Sequence, residues 1–233
     1  MSTVTPVNPW TRRYYSRDGE STGFDRVVFF SDAVFAIAIT LMALEIGTPE
    51  VEDPTSTHEL WDAISQKGAA VGAFIVAFTW VAIYWRANHR FTTALKGMSS
   101  RYIGFMLVYL GLVAVLPFPA GMLGEYWENP VAIVVFSIYA ALMSTMEVVL
   151  FIVADRDNLF IAPLTSRFRR YSIVGSLTPV VAFLIAIPVA FVSTLAAIAA
   201  YIVGAVILGI LVNKALGTDE VFEQPLGEPT AGS

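Results

Sequence analysis

The chain of 233 residues contains no cysteine, two histidines and only 14% charged residues. Without cysteine there is no disulfide framework, no thiolate metal site and no cysteine nucleophile. His58 and His89 fall on opposite sides of a long apolar run, so a shared metal site is not expected. No basic patch of the kind that binds nucleic acid is visible. The segment 1–21 is polar and arginine-containing, lacks the apolar core and small-residue cleavage site of a secretory signal, and is expected to stay on the protein. What fills the chain instead is apolar: 56% hydrophobic residues and a mean hydropathy of +0.67. A soluble domain of this length does not have enough polar surface to cover such a composition, so this is an all-α integral membrane protein.

A bilayer span needs about 20 apolar residues. Such runs lie near 25–46, 69–89, 101–121, 130–153 and 171–213. The last is long enough for two helices, and Pro188, followed by Ser193 and Thr194, predicts a hairpin within it. Six transmembrane helices result, over a membrane domain 22–215 flanked by the N-terminal segment 1–21 and a small, acidic, proline-containing tail 216–233 that is expected to be disordered.

Charge sets the orientation. All but one of the 14 basic residues fall at one end of the spans: before the first, between the second and third, between the fourth and fifth, and at Lys214. Lys67 is the exception, and the loop before it carries Glu50, Glu52, Asp53, Glu59 and Asp62. The positive-inside rule then predicts a multi-pass cell-membrane protein with both termini cytoplasmic and an acidic outer first loop. Arg167, Arg169 and Arg170 read as topology determinants and contacts for anionic lipid.

The first span, RVVFFSDAVFAIAITLMALEI, holds an aspartate at membrane depth. Ile37, Leu41 and Leu44 form a stripe at i, i+4 and i+7 with Thr40 beside it, whereas Asp32 points about 140° from Ile37 and Ile39 about 200°, toward lipid. By spacing alone the stripe packs on a sister helix or lipid, and Thr40 bonds back to the Ala36 carbonyl. An intramembrane carboxylate faces a partner or an ion path by default; for Asp32 pairing outweighs conduction, and Glu147 reads as a helix-paired acid.

Arg26, Phe30, Ser31 and Asp32, followed by Phe35, Ala36, Ile37 and Thr40, resemble the R-x3-F-S-D first-helix motif of the prokaryotic relatives of the endolysosomal potassium channel transmembrane protein 175. Tyr84, Trp85, Asn88, His89, Arg90 and Phe91 resemble that family's Y-W-x-x-H-H-x-x-F stretch, with Asn88 where its first histidine is usual. LPFPAGMLGEY, Leu116 to Tyr126, resembles its third-helix exit. The resemblance implies a homotetramer of six-helix subunits whose first helices surround a central pore, with a preference for permeant K+ among monovalent cations and no cofactor. It places Ile37 on a hydrophobic constriction, Leu41 and Leu44 on further apolar layers, and Thr40 on a hydroxyl layer. No TVGYG-like carbonyl filter is present, so any selectivity rests on dehydration at such a ring. Asp32 is then expected to lock the first helix to its neighbours through Ser31, Arg26 and the Trp85/His89 end of the second, while Glu45 and the acidic loop gather cations at the outer mouth.

Two other functions compete. A secondary transporter would bind a coupling ion at Asp32 and Glu147, but the first span has neither the glycine nor the proline of a broken helix. An intramembrane enzyme using His89 and Asp32 has no serine, cysteine or metal motif beside them.

Overall fold

The computed structural model describes residues 14–16, 23–161, 164–201 and 203. Among these, five helical stretches are long and apolar enough to cross a membrane. They are α1 (Gly23–Leu44), α3 (Gly68–Thr93), α4 (Ser100–Val115) continued by α5 (Pro117–Glu125), α6 (Pro130–Arg156) and α7 (Ser166–Ala190). A short helix, α2 (Thr57–Gln66), and two strands, β1 (Tyr14–Ser16) and β2 (Gly97–Ser99), complete the order. The segment 1–13, Lys214 and the tail 216–233 lie outside the described residues.

Proline and small residues shape the spans. The third breaks at Leu116, and Pro117 opens α5, where its missing N–H leaves no bond unmade. At Gly124 a Cβ would sit 3.2 Å from the Ala70 Cα, so glycine is what allows α5 to lie this close to α3. The hairpin expected at Pro188 comes later. Pro188 lies inside α7, which continues to Ala190, because a proline in the last turn removes only one donor. The chain turns at 191–193, and the Ser193 Oγ accepts from the Ala196 N–H at 3.2 Å to cap a new helical stretch from 194. The helical stretch from 194 falls where the sixth span is expected, and the chain beyond 203 lies outside the described residues.

The expected first loop is not all loop. α1 ends at Leu44, and the turn that follows closes at Gly47, whose N–H bonds to Leu44 O at 3.1 Å and whose φ of +64° is left-handed. Ser56 then caps α2, its Oγ accepting from the Glu59 N–H at 3.3 Å, while the Glu59 carboxylate reaches back to the Asp53 N–H at 3.1 Å. Only Lys67 separates α2 from α3.

The core is aromatic. Phe183 of α7 lies 4.8 Å from Trp80 of α3 and 5.3 Å from Tyr201, whose hydroxyl bonds to Ile133 O at 3.0 Å, so α3, α6, α7 and the stretch from 194 form one packed unit. Outward faces stay apolar and exposed, as at Phe78, Ile138 and Leu184, and lipid is the solvent that suits them. At the basic end, β1 pairs antiparallel with β2, and Leu95 bridges Phe160. There Asp157 accepts from Ser99 at 2.6 Å, and Arg169 pairs with Asp155 at 2.8 Å, so this arginine has a protein partner as well as any lipid contact.

Candidate functional site

One face of α1 is covered by its own chain and the other is not. Phe24, Ser31, Phe35, Ala38 and Met42 are buried, on an arc centred about 130° from Ile37. Ile37 is 57% exposed, Leu41 41% and Leu44 75%, and Thr40 is exposed among them. The Thr40 hydroxyl donates to the Ile37 carbonyl at 2.8 Å, one residue later than the Ala36 carbonyl expected from spacing. Its donor is thereby used on the backbone, and its oxygen lone pairs remain on the open face. Ile39, expected in lipid, is half-buried and packs on the core.

Asp32 is half-buried at the edge of the covered face. The Trp85 Nε1 donates to its Oδ1 at 2.9 Å, and the Trp85 ring stacks on His89 with centroids 5.5 Å apart. Next to it the Asn88 Nδ2 donates to the Ser31 Oγ at 2.8 Å, both residues being buried. Two adjacent residues of α1 are therefore held by two residues of α3 one turn apart. Ser31 is engaged by Asn88 rather than by Asp32, and His89 reaches the cluster only through the Trp85 ring. Arg26 and Phe30 are exposed and line a cavity of about 270 Å³ with Ile103 and Met106 of α4, away from the Trp85 contact. Among the described residues Arg26 makes no ion pair with Asp32. Asn88 had no role assigned from the sequence beyond its departure from the family histidine; the available signal was its place one turn after Trp85, on the face that meets α1.

Glu45 turns toward α5. Its Oε2 lies 2.9 Å from where a Cβ would stand on Gly121, beside a cavity of about 440 Å³ shared with Lys67, Glu125 and Trp127. Glu147 accepts from the Tyr109 hydroxyl at 3.1 Å, the helix pairing expected of it, and faces a cavity of about 460 Å³ lined by aromatic residues of α3, α6 and α7. That cavity does not include Asp32, so the two carboxylates invoked for a transporter serve different surroundings. His58 lies 3.1 Å from Asp62 on α2, whereas His89 stacks near the other end of α3.

Residues 26–117, which contain both the α1 stripe and its Trp85/Asn88 anchor, match the profile of the family described as endosomal/lysosomal potassium channel TMEM175. Over that segment the chain is similar to the TMEM175 family. A potassium channel of Streptomyces collinus is 34% identical over 122 residues, covering 52% of this chain and 58% of that protein. A potassium channel of Chamaesiphon minutus is 32% identical over 130 residues, covering 56% and 64%. The matches thus span about three fifths of the length of these relatives. The crystal structure of a lysosomal potassium-selective channel TMEM175 homolog from Chamaesiphon minutus aligns with a TM-score of 0.67 at 24% identity, covering 83% of this chain and all of that one, which establishes a shared fold.

Proposed function

We propose that the protein is a potassium-preferring cation channel, not an enzyme, in which α1 of each of four identical subunits lines a central pore and both termini are cytoplasmic. The observation that carries this reading is the uncovered stripe of α1: Ile37, Thr40, Leu41 and Leu44 lie open on the chain, inside the family-matched segment, while the opposite face is anchored to α3. A hydroxyl within an apolar stripe suits a water-filled axis better than lipid, where it has nothing to bond but its own backbone. The named channel activity of the relatives supports the same function.

Ile37 forms the constriction in this reading. A ring of isoleucine side chains offers no ligand to replace hydration, so an ion passes only by shedding water or by wetting the ring. K+ gives up water at lower cost than Na+, and the ring therefore favours K+ without a cage of carbonyls. Leu41 and Leu44 extend the apolar path toward the acidic loop, whose Glu50, Glu52 and Asp53 raise the local cation concentration. Asp32 and Ser31 keep the stripe in rotation by fixing the other side of the helix; their role is positioning. The test is reversal potential in a reconstituted bilayer with K+ on one side and Na+ on the other. A potential near zero, or no cation current, overturns the proposal.

A further inference from the structure

α2 divides its residues cleanly between two faces. At about 100° per residue, Ala63, Leu60, Ile64, Thr57 and Trp61 occupy one continuous arc of about 160°, and Ser65, His58, Asp62, Gln66 and Glu59 occupy the rest. The polar side is organised within itself, with His58 against Asp62 at 3.1 Å. The apolar side is uncovered: Trp61 is 66% exposed, Ile64 43% and Leu60 39%, and no residue of the helix is buried. A helix of 10 residues with three large apolar side chains in water would be marginal alone, yet here it is capped at its start by Ser56.

Its height is fixed by the chain. Lys67 is at once the last cap of α2 and the first of α3, in helical backbone geometry. The Lys67 N–H bonds to Ile64 O at 3.0 Å and the Val71 N–H to Lys67 O at 3.0 Å, so the junction is hydrogen-bonded on both sides. α3 begins its membrane crossing one residue after α2 ends, and α2 therefore cannot leave the level at which lipid meets water. Trp61 is the residue type that favours that level, with an apolar ring and one N–H donor.

We infer that α2 is an interfacial helix, lying in the membrane surface with Leu60, Trp61 and Ile64 seated among the lipid headgroup–acyl boundary and the His58–Asp62 side in water. The partner is the bilayer itself, because it is the apolar phase already in contact with the chain at Lys67. The polar face carries Glu59 and Asp62, so apolar burial rather than attraction to anionic headgroups drives the seating, and uncharged phosphatidylcholine suffices. The inference does not depend on which side of the membrane the loop occupies or on ion conduction.

The absence of cysteine makes the test direct. Single cysteines at Leu60→Cys, Trp61→Cys, Ile64→Cys, His58→Cys, Asp62→Cys and Ser65→Cys, each spin-labelled in the full chain reconstituted in phosphatidylcholine vesicles, report collision with oxygen and with a water-soluble nickel complex. Seating in lipid gives high oxygen and low nickel accessibility at 60, 61 and 64, and the reverse at 58, 62 and 65. Low accessibility to both at 60, 61 and 64 means that another protein surface covers the face, and overturns the inference. High nickel accessibility at all six positions means that α2 stands free in water, and overturns it equally.

Discussion

The Asn88 side-chain amide donates to the Ser31 hydroxyl across 2.8 Å, joining the C-terminal end of the second span to the residue before the intramembrane aspartate. Both ends are buried, so neither has water to fall back on. Asn88→Leu leaves the Ser31 hydroxyl without its partner and should cost about 1–3 kcal/mol. Ser31→Ala with Asn88→Leu removes both ends, and the double variant should lose less than the sum of the singles. Thermal unfolding in detergent, followed for all three variants, reads the cycle. Strict additivity would show that the bond contributes nothing.

The Trp85–Asp32 contact is more open, since Asp32 is half-buried and Trp85 is 39% exposed. A hydrogen bond to a charged group is worth about 1.5–3 kcal/mol; solvent at this site reduces the loss to roughly 1–2 kcal/mol. Asp32→Asn keeps an acceptor for the Trp85 Nε1 and should retain most assembly, whereas Asp32→Ala should lower the yield of assembled protein on size exclusion. Neither variant should change ion preference, because the carboxylate faces α3. An Asp32→Ala protein that assembles fully and shows altered preference would move Asp32 into the ion path.

How far these relations were legible follows from what one helix can reveal about itself. The stripe of Ile37, Leu41 and Leu44 is a property of periodicity, and the structure leaves it open as a single face. Which residues of α3 meet the other side depends on the rotation of two helices about their axes, which no period in either determines. Trp85 entered through the family motif; Asn88, one turn further, entered only as a departure from it. The acidic composition of 47–68 suggested solvated loop, yet Ser56 and Glu59 stand at capping-box spacing, and that local signal outweighed the charge. Ile39 looked lipid-facing because α1 was read alone; packing against the core half-covers it. Pro188 stands three residues before the turn at 191–193, since a proline in the final turn of a helix breaks little.

The cap of α2 has a pH dependence. The Thr55 side chain and backbone both donate to the Asp53 Oδ1, at 2.7 and 2.9 Å, and these bonds hold the Asp53 carboxyl below its usual value of 3.8. A depressed carboxylate stabilises the folded turn above its unfolded pKa, and that contribution disappears as pH falls through the folded value. The start of α2 should therefore be constant from neutral pH to about pH 4 and fray below it. Ser56→Ala should fray the same turn at every pH, at a cost of about 0.5–2 kcal/mol. Mobility of a spin label at Thr57→Cys reads both effects; a label equally ordered at pH 3 and pH 7 contradicts the first.

Ile37 and Ile138 offer the sharpest comparison for the channel reading, because they are the same residue at nearly the same exposure, 57% and 54%, on α1 and α6. Ile39 is unsuitable as a control, since its packing on the core means that Ile39→Asn damages the fold. If Ile37 closes an apolar ring, Ile37→Asn places amides on the axis, wets the constriction and supplies partial ligands for a passing ion. Conductance should rise while preference for K+ over Na+ falls, and the two should change together. Ile138→Asn exposes the same amide on a face assigned to lipid and should leave both quantities near wild type. Comparable assembly of the two variants on size exclusion removes general destabilisation as an explanation. If Ile138→Asn alters permeation and Ile37→Asn does not, the conduction path runs along α6; if neither does, the open stripe of α1 faces something other than permeating ions.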